Sequence, residues 1–167
     1  MSMIHIASDK TNSSLTQVQP QDVQPNAVDL RVDKIFKIAG ERFYISEEAK
    51  EHRGSQEMLT SREDEWYLQV GSYEVIFENI IDVAEGEAGF VITRSTLNRN
   101  GLHLTTGLYD SGYNGVMAAV LHVTTAPAVI KKGTRLGQFL LFKSETLSMY
   151  DGDYGLNKDH DKKYKKE

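Results

Sequence analysis

A carboxylate and a tyrosine lie three residues apart in the glycine-bounded stretch GLYDSGYNG, from Gly107 to Gly115. The carboxylate of Asp110 can accept a proton from water if burial raises its basicity, which is the role of a general base. The ring of Tyr113 offers a flat face against which a sugar can pack. Aspartate and glycine are equally typical of an exposed β-turn, so the pattern alone favours neither a catalytic hairpin nor a plain turn.

Candidate phosphate ligands occur in the preceding segment, TRSTLNRNG, from Thr93 to Gly101. It contains two arginines five residues apart, with two hydroxyl side chains between them: Arg94, Ser95, Thr96 and Arg99. Guanidinium groups and hydroxyls bind phosphate oxygens through charge-assisted hydrogen bonds. Short basic segments with hydroxyl groups are also common in solvated loops, so this segment needs support from others.

Two more polar residues stand at the ends of predicted strands. Asp29 lies in the strand-like segment AVDLRV (27–32), although aspartate is depleted in strands and needs partners when it is buried. Gln138 follows the turn KKGTRLG and can donate its amide to a phosphate oxygen. A structural salt bridge with Arg31 or another neighbour explains Asp29 equally well. For Gln138, taken alone, an ordinary hairpin turn is the favoured explanation.

Composition limits the classes of function. The 167 residues are 40% hydrophobic and 26% charged with a formal net charge of −5, which is typical of one soluble domain without overall attraction to nucleic acid. The absence of cysteine excludes disulfides, thiolate metal sites and a cysteine nucleophile, and it is compatible with a reducing cytoplasm. The five histidines show no metal-ligand spacing, and no apolar run approaches the ~20 residues that span a bilayer. We therefore expect a cytoplasmic protein with no nucleic-acid partner, no membrane partner and no metal site made by its own side chains.

Hydrophobic patterning predicts an all-β domain with an extension at each end. Residues 1–24 are polar and lack periodicity, and we expect an extended N-terminal arm that is ordered only where it packs on a neighbour. Residues 25–143 contain many short apolar segments between turn signals, which indicates a β-barrel or jelly roll. Only SEEAKEHRGSQ (46–56) has helix-forming composition, and it is interpreted as either a short helix or a loop. Residues 144–167 form a C-terminal tail or lid that ends in a lysine-rich sequence.

The order of the polar segments resembles motifs one to four of the dUTPase and dCTP deaminase superfamily, over roughly residues 23–143. The matching segments are Asp29-Leu30, Arg94-Ser95-Thr96-Leu97, the glycine-bounded stretch 107–115, and KGTRLGQ (132–138). The resemblance implies a distorted jelly roll (β-clip) that assembles as a homotrimer, with three active sites at subunit interfaces.

The resemblance also implies roles for individual residues in binding a deoxynucleoside triphosphate, dUTP above all. The hairpin that includes Gly107 would receive the base through backbone groups, and Tyr113 would stack on the deoxyribose and exclude a 2′-hydroxyl. Asp110 would orient the attacking water, and Asp29 is the second candidate catalytic residue.

The triphosphate would be bound by residues of other subunits. Ser95 and Gln138 match phosphate-binding positions, and Arg94, Thr96 and Arg99 complete the candidate set. Attack of water on the α-phosphorus requires mostly positioning and charge neutralisation. A Mg²⁺ ion held mainly by the triphosphate would supply part of that neutralisation.

Parts of the chain are more similar to the deaminase branch than to typical dUTPases. These parts are the segment QPNAVDLR (24–31), the position of Arg99, and the C-terminal sequence. The tail resembles a deaminase lid and lacks the glycine-rich, phenylalanine-bearing fifth motif of dUTPases. Its candidate substrate-binding residues are Tyr150, Tyr154, Lys163 and Tyr164.

One position favours hydrolysis over deamination. Deaminases of this superfamily need a glutamate on the strand after motif three to carry protons at the pyrimidine ring, and that position falls on Val120. The segment VMAAVLHV (116–123) contains no acid, and valine cannot transfer a proton. The sequence therefore predicts a dUTP diphosphatase that forms dUMP and pyrophosphate.

Two alternatives stay open at this point. One is a dCTP deaminase, or a bifunctional enzyme, that uses another carboxylate. The other is a non-catalytic trimer that binds a nucleotide or a protein. A compact, divergent member of the superfamily would also suit a phage or viral genome, with the host cytoplasm as its location.

Overall fold

The computed structural model describes residues 2–164, which form a curled antiparallel β-structure. Within that range there are thirteen strands, one four-residue α-helix, and 3-10 turns at Pro20–Asp22 and His160–Tyr164. The strands are β1 (Ser2–Ile4), β2 (Ser14–Leu15), β3 (Val28–Ile38), β4 (Tyr44–Ile45), β5 (Lys50–Glu51), β6 (Ser55–Glu57), β7 (Glu65–Leu68), β8 (Gly71–Asp82), β9 (Glu87–Thr93), β10 (Leu102–Thr105), β11 (Asn114–Val123), β12 (Ala128–Lys131) and β13 (Arg135–Lys143), and the helix α1 is Ser95–Asn98. The predicted all-β fold is confirmed.

The main sheet contains nine of the strands in the described part of the chain. Its path runs β1–β13–β3–β8–β11–β10, and β2, β6 and β9 pair with β8, β3 and β13 respectively. All of these pairings are antiparallel. Two separate ribbons join β12 to β7 and β4 to β5. Residues 2–164 include no helix with the length and apolarity that a membrane crossing requires.

The hydrophobic core lies inside the curled sheet. Val28, Leu30 and Val32 of β3 are fully buried, and Phe77 of β8 and Phe139 of β13 belong to the same cluster. Burying a side chain of this size contributes roughly 1.5–3 kcal/mol. The central strands are therefore held firmly enough to fix the polar side chains at their ends.

Strand β11 is buried on one face and half-buried on the other. Its inner face carries Met117 and Leu121, both fully buried. Its outer face packs against a small second cluster of Phe36, Ile76 and Tyr164. Because Tyr164 belongs to the C-terminal tail, this cluster joins the tail to the sheet.

The segment 46–56 forms a tight turn followed by strands, where its composition suggested a helix or a loop. Strands β4 and β5 pair on either side of the turn. The Ser46 hydroxyl accepts hydrogen bonds from the backbone N–H groups of Glu48 and Ala49, each at 3.2 Å. A serine that bonds to nearby N–H groups can close a turn as readily as it caps a helix, so the hairpin forms here.

Residues 2–24 pack on the chain's own sheet, because β1 pairs with β13 and β2 pairs with β8. Glu87, which is 1% exposed, accepts hydrogen bonds from the side chains of Thr11, Ser13 and Lys143. Burial alone raises the pKa of this carboxyl, but the donors from Lys143, Ser13 and Thr11 outweigh burial and hold the pKa at about 2. The ionised carboxylate therefore anchors the N-terminal segment to β9.

Candidate nucleotide site

Two arginines and an amide converge on the buried carboxylate of Asp29. The Asp29 side chain has no solvent exposure, and its Oδ2 lies 3.3 Å from Arg94 Nε and 3.3 Å from Arg135 Nη1. Gln138 Nε2 donates a hydrogen bond to Asp29 Oδ1 at 3.1 Å. We call these four residues the arginine cluster.

Strand register explains how residues so distant in sequence meet. Gln138 lies opposite Asp29 where β13 pairs with β3. Strand β9 pairs with β13 and places Thr93 opposite Gly137, so Arg94 follows directly at the same end of the sheet. Three strands therefore bring the arginine cluster together.

The electrostatics of the cluster suit an anionic ligand. A buried carboxylate is stable only when it is paired and hydrogen-bonded, which Asp29 is. The side chains of Arg94 and Arg135 remain 28% and 29% exposed, so part of each side chain is accessible to a ligand. Further hydrogen bonds to backbone carbonyls, from Arg94 to Arg135 and from Arg135 to Gln21, restrict both side chains. Two cations around one carboxylate leave a net positive charge in a fixed arrangement.

The hydroxyl residues of the second segment lie on α1, beside this cluster in sequence. Ser95 and Thr96 are exposed in the first turn of that helix, which begins directly after Arg94. Arg99 is exposed at the other end of the helix and makes no ion pair within residues 2–164. Arg135 was missing from the set of residues assigned from sequence, although a basic residue three positions before Gln138 in the same turn was a usable signal.

A cavity of about 550 Å³ opens beside the glycine-bounded hairpin. Its lining combines hairpin, sheet and tail residues: Glu74, Gly107, Leu108, Tyr109, Tyr113, Val116, Ala118, Tyr150, Tyr154, His160, Asp161 and Tyr164. Neither Arg94, Arg135 nor Gln138 belongs to this lining. The cavity and the arginine cluster are thus separate features of the single chain.

Two tyrosines of the hairpin are fixed against β11, whose register shifts between Val116 and Ala118. The Tyr113 hydroxyl donates to the Val116 carbonyl at 2.9 Å, and the Tyr109 hydroxyl donates to the Ala118 carbonyl at 3.1 Å. Their rings meet edge to face, with centroids 5.4 Å apart. Burial raises the pKa of both hydroxyls, so both remain protonated donors at neutral pH.

The tail residues singled out from sequence gather at the same cavity. The ring of Tyr150 meets that of Tyr113 edge to face with centroids 5.4 Å apart, and Tyr154 and Tyr164 also line the cavity. Lys163 lies next to it, with its ammonium 3.0 Å from Glu74 Oε2. The structure therefore brings five predicted residues together: Gly107, Tyr113, Tyr150, Tyr154 and Tyr164.

Glu74 is a cavity residue that sequence reasoning missed. It lies on β8 directly opposite Val120 of β11. An acid therefore stands beside the position where β11 has none, but it comes from the neighbouring strand. The sequence shows Glu74 only as an acid within the alternating segment YEVIF (73–77). That pattern does not reveal that the neighbouring strand is β11.

Asp110 stands apart from both features in the single chain. Its side chain is exposed, and it borders a shallow groove formed with residues 144–151. Its backbone carbonyl accepts a hydrogen bond from the Tyr113 N–H at 3.0 Å, which closes the turn between them. Within the described residues the acids that line the cavity are Glu74 and Asp161.

The described residues contain no group of three or more histidine, cysteine, aspartate or glutamate side chains that could hold a metal ion. Two of the histidines, His103 and His122, stack with ring centroids 4.9 Å apart. His122 also pairs with the hydroxyls of Ser72 and Thr105 at 3.0 and 2.9 Å. These contacts hold the two histidines between β8, β10 and β11, which indicates a structural role.

Several known proteins are similar to this chain in sequence or in fold. A deoxyuridine 5′-triphosphate nucleotidohydrolase from Methanocaldococcus jannaschii is 31% identical over 152 residues, which cover 89% of this chain and 97% of that protein. In fold, the chain is similar to a 2′-deoxycytidine 5′-triphosphate deaminase from Agrobacterium tumefaciens, with a TM-score of 0.62 and 18% identity over 79% of this chain and 43% of that one. It is also similar to EIAV dUTPase, with a TM-score of 0.54 and 15% identity over 84% and 94% of the two chains. The family model described as dCTP deaminase-like matches residues 2–144. The chain therefore belongs to the dCTP deaminase-like family.

Proposed function

We propose that the protein is a dUTP diphosphatase, which hydrolyses dUTP to dUMP and pyrophosphate. The observation that carries the choice of reaction is Val120: β11 offers no acid to a pyrimidine, and the acid opposite it, Glu74, has both carboxylate oxygens bonded by the tail. The name of the M. jannaschii relative, which aligns over nearly its whole length, supports the same reaction.

The aromatic cavity is the proposed nucleoside site. Its volume of about 550 Å³ lies within the usual range for small-molecule pockets, roughly 300–1,000 Å³. Its described lining is mostly aromatic and apolar and includes no arginine or lysine, which suits a neutral base and sugar. Tyr113 presents its ring at this site, and Gly107 leaves the hairpin backbone accessible to a base.

The arginine cluster is the proposed triphosphate site, with Ser95, Thr96 and Arg99 as further contacts. Arg94 and Arg135 supply charge, and Gln138 supplies an amide donor. Asp29 has both oxygens engaged inside the cluster and no solvent exposure. We therefore assign Asp29 to positioning the two arginines, a different role from the catalytic one considered from sequence.

No residue of the arginine cluster lines the nucleoside cavity. A complete site therefore requires a second copy of the chain. We propose a homotrimer in which one subunit supplies the cavity and another supplies the arginine cluster. In this arrangement residues 25–143 form the catalytic domain, residues 1–24 the arm and residues 144–167 the lid. Action on free nucleotides agrees with a cytoplasmic location.

The reaction needs an oriented water and an acceptor for its proton, and we assign both tasks to Asp110. The water oxygen bonds to the α-phosphorus while the bond from that phosphorus to the bridging oxygen of the β-phosphate breaks. The water's proton passes to the carboxylate, and pyrophosphate leaves with the electron pair of the broken bond. Because Asp110 is exposed in the single chain, a neighbouring subunit would have to enclose it.

Mg²⁺ is the proposed cofactor, and the donor set on this chain fits an ion carried by the substrate. Asp110 is a single exposed carboxylate, and Asp29 is already saturated by its partners. The triphosphate oxygens and water would therefore be the main ligands. When bound, the ion would offset negative charge that develops on the phosphates.

Deamination of dCTP is the second candidate, because Glu74 lines the cavity opposite Val120. In that reaction water adds to C4 of cytosine and ammonia leaves, with Glu74 carrying the proton between them. The tail would first have to release the carboxylate.

A panel of deoxynucleoside triphosphates with Mg²⁺, assayed for both pyrophosphate and ammonia, tests the assignment. We expect pyrophosphate from dUTP and no ammonia from dCTP. Ammonia from dCTP without pyrophosphate from dUTP would support deamination instead. Binding of α,β-imido-dUTP with neither product would indicate a non-catalytic nucleotide-binding protein.

A further inference from the structure

The C-terminal tail is attached to Glu74 through two side chains. The Tyr164 hydroxyl donates to Glu74 Oε1, and the Lys163 ammonium lies 3.0 Å from Glu74 Oε2. The Glu74 side chain is only 17% exposed and the Lys163 side chain 35% exposed, so the contact is partly shielded from water. Hydrogen bonds to a charged carboxylate are stronger than those between neutral groups.

The tail is also packed at Tyr164, the last residue that the structure describes, which distinguishes this part of the tail from a solvated extension. Tyr164 is 8% exposed, and its ring meets that of Phe36 edge to face with centroids 6.1 Å apart. It shares a buried cluster with Ile76 of β8. Burial and the bond to Glu74 both raise the pKa of the Tyr164 hydroxyl, so it remains a donor.

Further contacts hold the tail along its length. The Tyr150 N–H donates to the Ser111 carbonyl at 2.8 Å, and the Leu156 N–H donates to the Asn114 carbonyl at 3.0 Å. Both acceptors belong to the hairpin beside the cavity. The tail is therefore attached to the hairpin through Tyr150 and Leu156 and to Glu74 through Lys163 and Tyr164.

The docked tail lines the cavity without filling it. A volume of about 550 Å³ remains while Tyr150, Tyr154 and Tyr164 form part of the wall. Since this space lies within the range of small-molecule pockets, the docked tail leaves room for a ligand beside it. Glu74 lines the cavity and binds the lid at once.

We propose that Glu74 is the receptor of this lid: by binding Lys163 and Tyr164 it holds residues 150–164 over the nucleoside cavity of the same chain. Glu74 is then a positioning residue that acts through the tail. The inference rests on the proposed function only for the identity of the nucleotide. The attachment itself can be tested without any substrate.

The first test is hydrogen–deuterium exchange of residues 150–164 in the protein without nucleotide, for the wild type and for Glu74→Gln and Tyr164→Phe. Tyr164→Phe removes one charge-assisted bond, and Glu74→Gln removes the charge on which both bonds depend. We expect tail amides to exchange about tenfold faster in Tyr164→Phe and at least about tenfold faster in Glu74→Gln. Tyr67→Phe is the matched control, because the Tyr67 hydroxyl also donates to a glutamate, Glu65, but on the separate β7–β12 ribbon. Unchanged amide exchange of residues 150–164 in both Glu74→Gln and Tyr164→Phe would overturn the proposal.

The second test is the dissociation constant of α,β-imido-dUTP for the same variants. We expect it to rise about tenfold in Glu74→Gln and Tyr164→Phe and to stay at the wild-type value in Tyr67→Phe. Faster exchange with unchanged affinity would show attachment without a lid and would overturn the positioning role. If the wild type binds no dUTP analogue while the exchange result holds, the proposed substrate is wrong and the attachment of the tail stands.

Discussion

Replacing Asp29 by asparagine should disrupt the arginine cluster while keeping its shape. The substitution preserves volume and one acceptor, but it removes the charge that faces Arg94 and Arg135, each at 3.3 Å. It also changes the acceptor of the 3.1 Å hydrogen bond from Gln138. The perturbation therefore acts on the positions of the phosphate-binding groups and leaves those groups in place.

The expected loss of stability in Asp29→Asn follows from the burial of the ion pairs that Asp29 makes. Breaking a fully buried ion pair costs roughly 3–5 kcal/mol. The two guanidiniums are 28% and 29% exposed and can regain some hydration, so we expect a loss of about 2–3 kcal/mol in the free energy of unfolding. Loss of one fixed charge-assisted contact to the triphosphate should raise the dissociation constant of α,β-imido-dUTP at least ~10-fold.

Urea denaturation and calorimetric titration measure the two effects separately. Glu87→Gln is the control, because it also neutralises a carboxylate with 1% exposure but lies outside the arginine cluster. That control should lose stability and keep its affinity for the nucleotide. If Asp29→Asn lost stability as the control does and bound the analogue as tightly as the wild type, Asp29 would have no part in phosphate binding.

Three further predictions concern single residues. Asp110→Asn should lower turnover by at least ~100-fold with nucleotide affinity retained, because it removes the proton acceptor; unchanged turnover in a steady-state assay would remove Asp110 from the reaction. Tyr113→Ala, once shown to be folded by circular dichroism, should raise kcat/KM for UTP relative to dUTP by ~10-fold or more, because space opens for a 2′-hydroxyl; continued exclusion of UTP would place the sugar selection elsewhere. The pKa of Glu87 falls from 4.5 to about 2 on folding, so its contribution to stability is present above about pH 4.5 and is lost as the pH falls towards 2, by at most about 3 kcal/mol. Unfolding followed from pH 6 to pH 2 should show this loss in the wild type and a flatter profile in Glu87→Gln, and identical profiles would contradict it.

Local signals predicted much of the fold. The alternation of apolar and polar residues located β3, β8 and β13, because the period of two is a property of the segment itself. The same reasoning could not find that β7 pairs with β12, since that contact joins segments about sixty residues apart. The turn at Ser46 was ambiguous for a local reason, because one hydroxyl can close a turn or cap a helix.

In the candidate site, too, local sequence indicated some residues and could not indicate others. Tyr113, Gly107 and the tail tyrosines were identified because residue type and order carried the signal. The salt bridges of Asp29 with Arg94 and Arg135 depend on three strands meeting at one end of the sheet, which no single segment encodes. Glu74 was missed for the same reason, since its place opposite Val120 is a matter of register between β8 and β11.

Hydrolysis of dUTP in ¹⁸O-labelled water shows directly whether water attacks the α-phosphorus. Mass spectrometry of the products should find the label in the phosphate of dUMP and none in pyrophosphate. Label in pyrophosphate would place the attack on the β-phosphorus and would rule out the proposed reaction at the α-phosphorus. No cleavage of dUTP, with labelled dUTP formed instead from dCTP, would show that the cavity performs chemistry on the base.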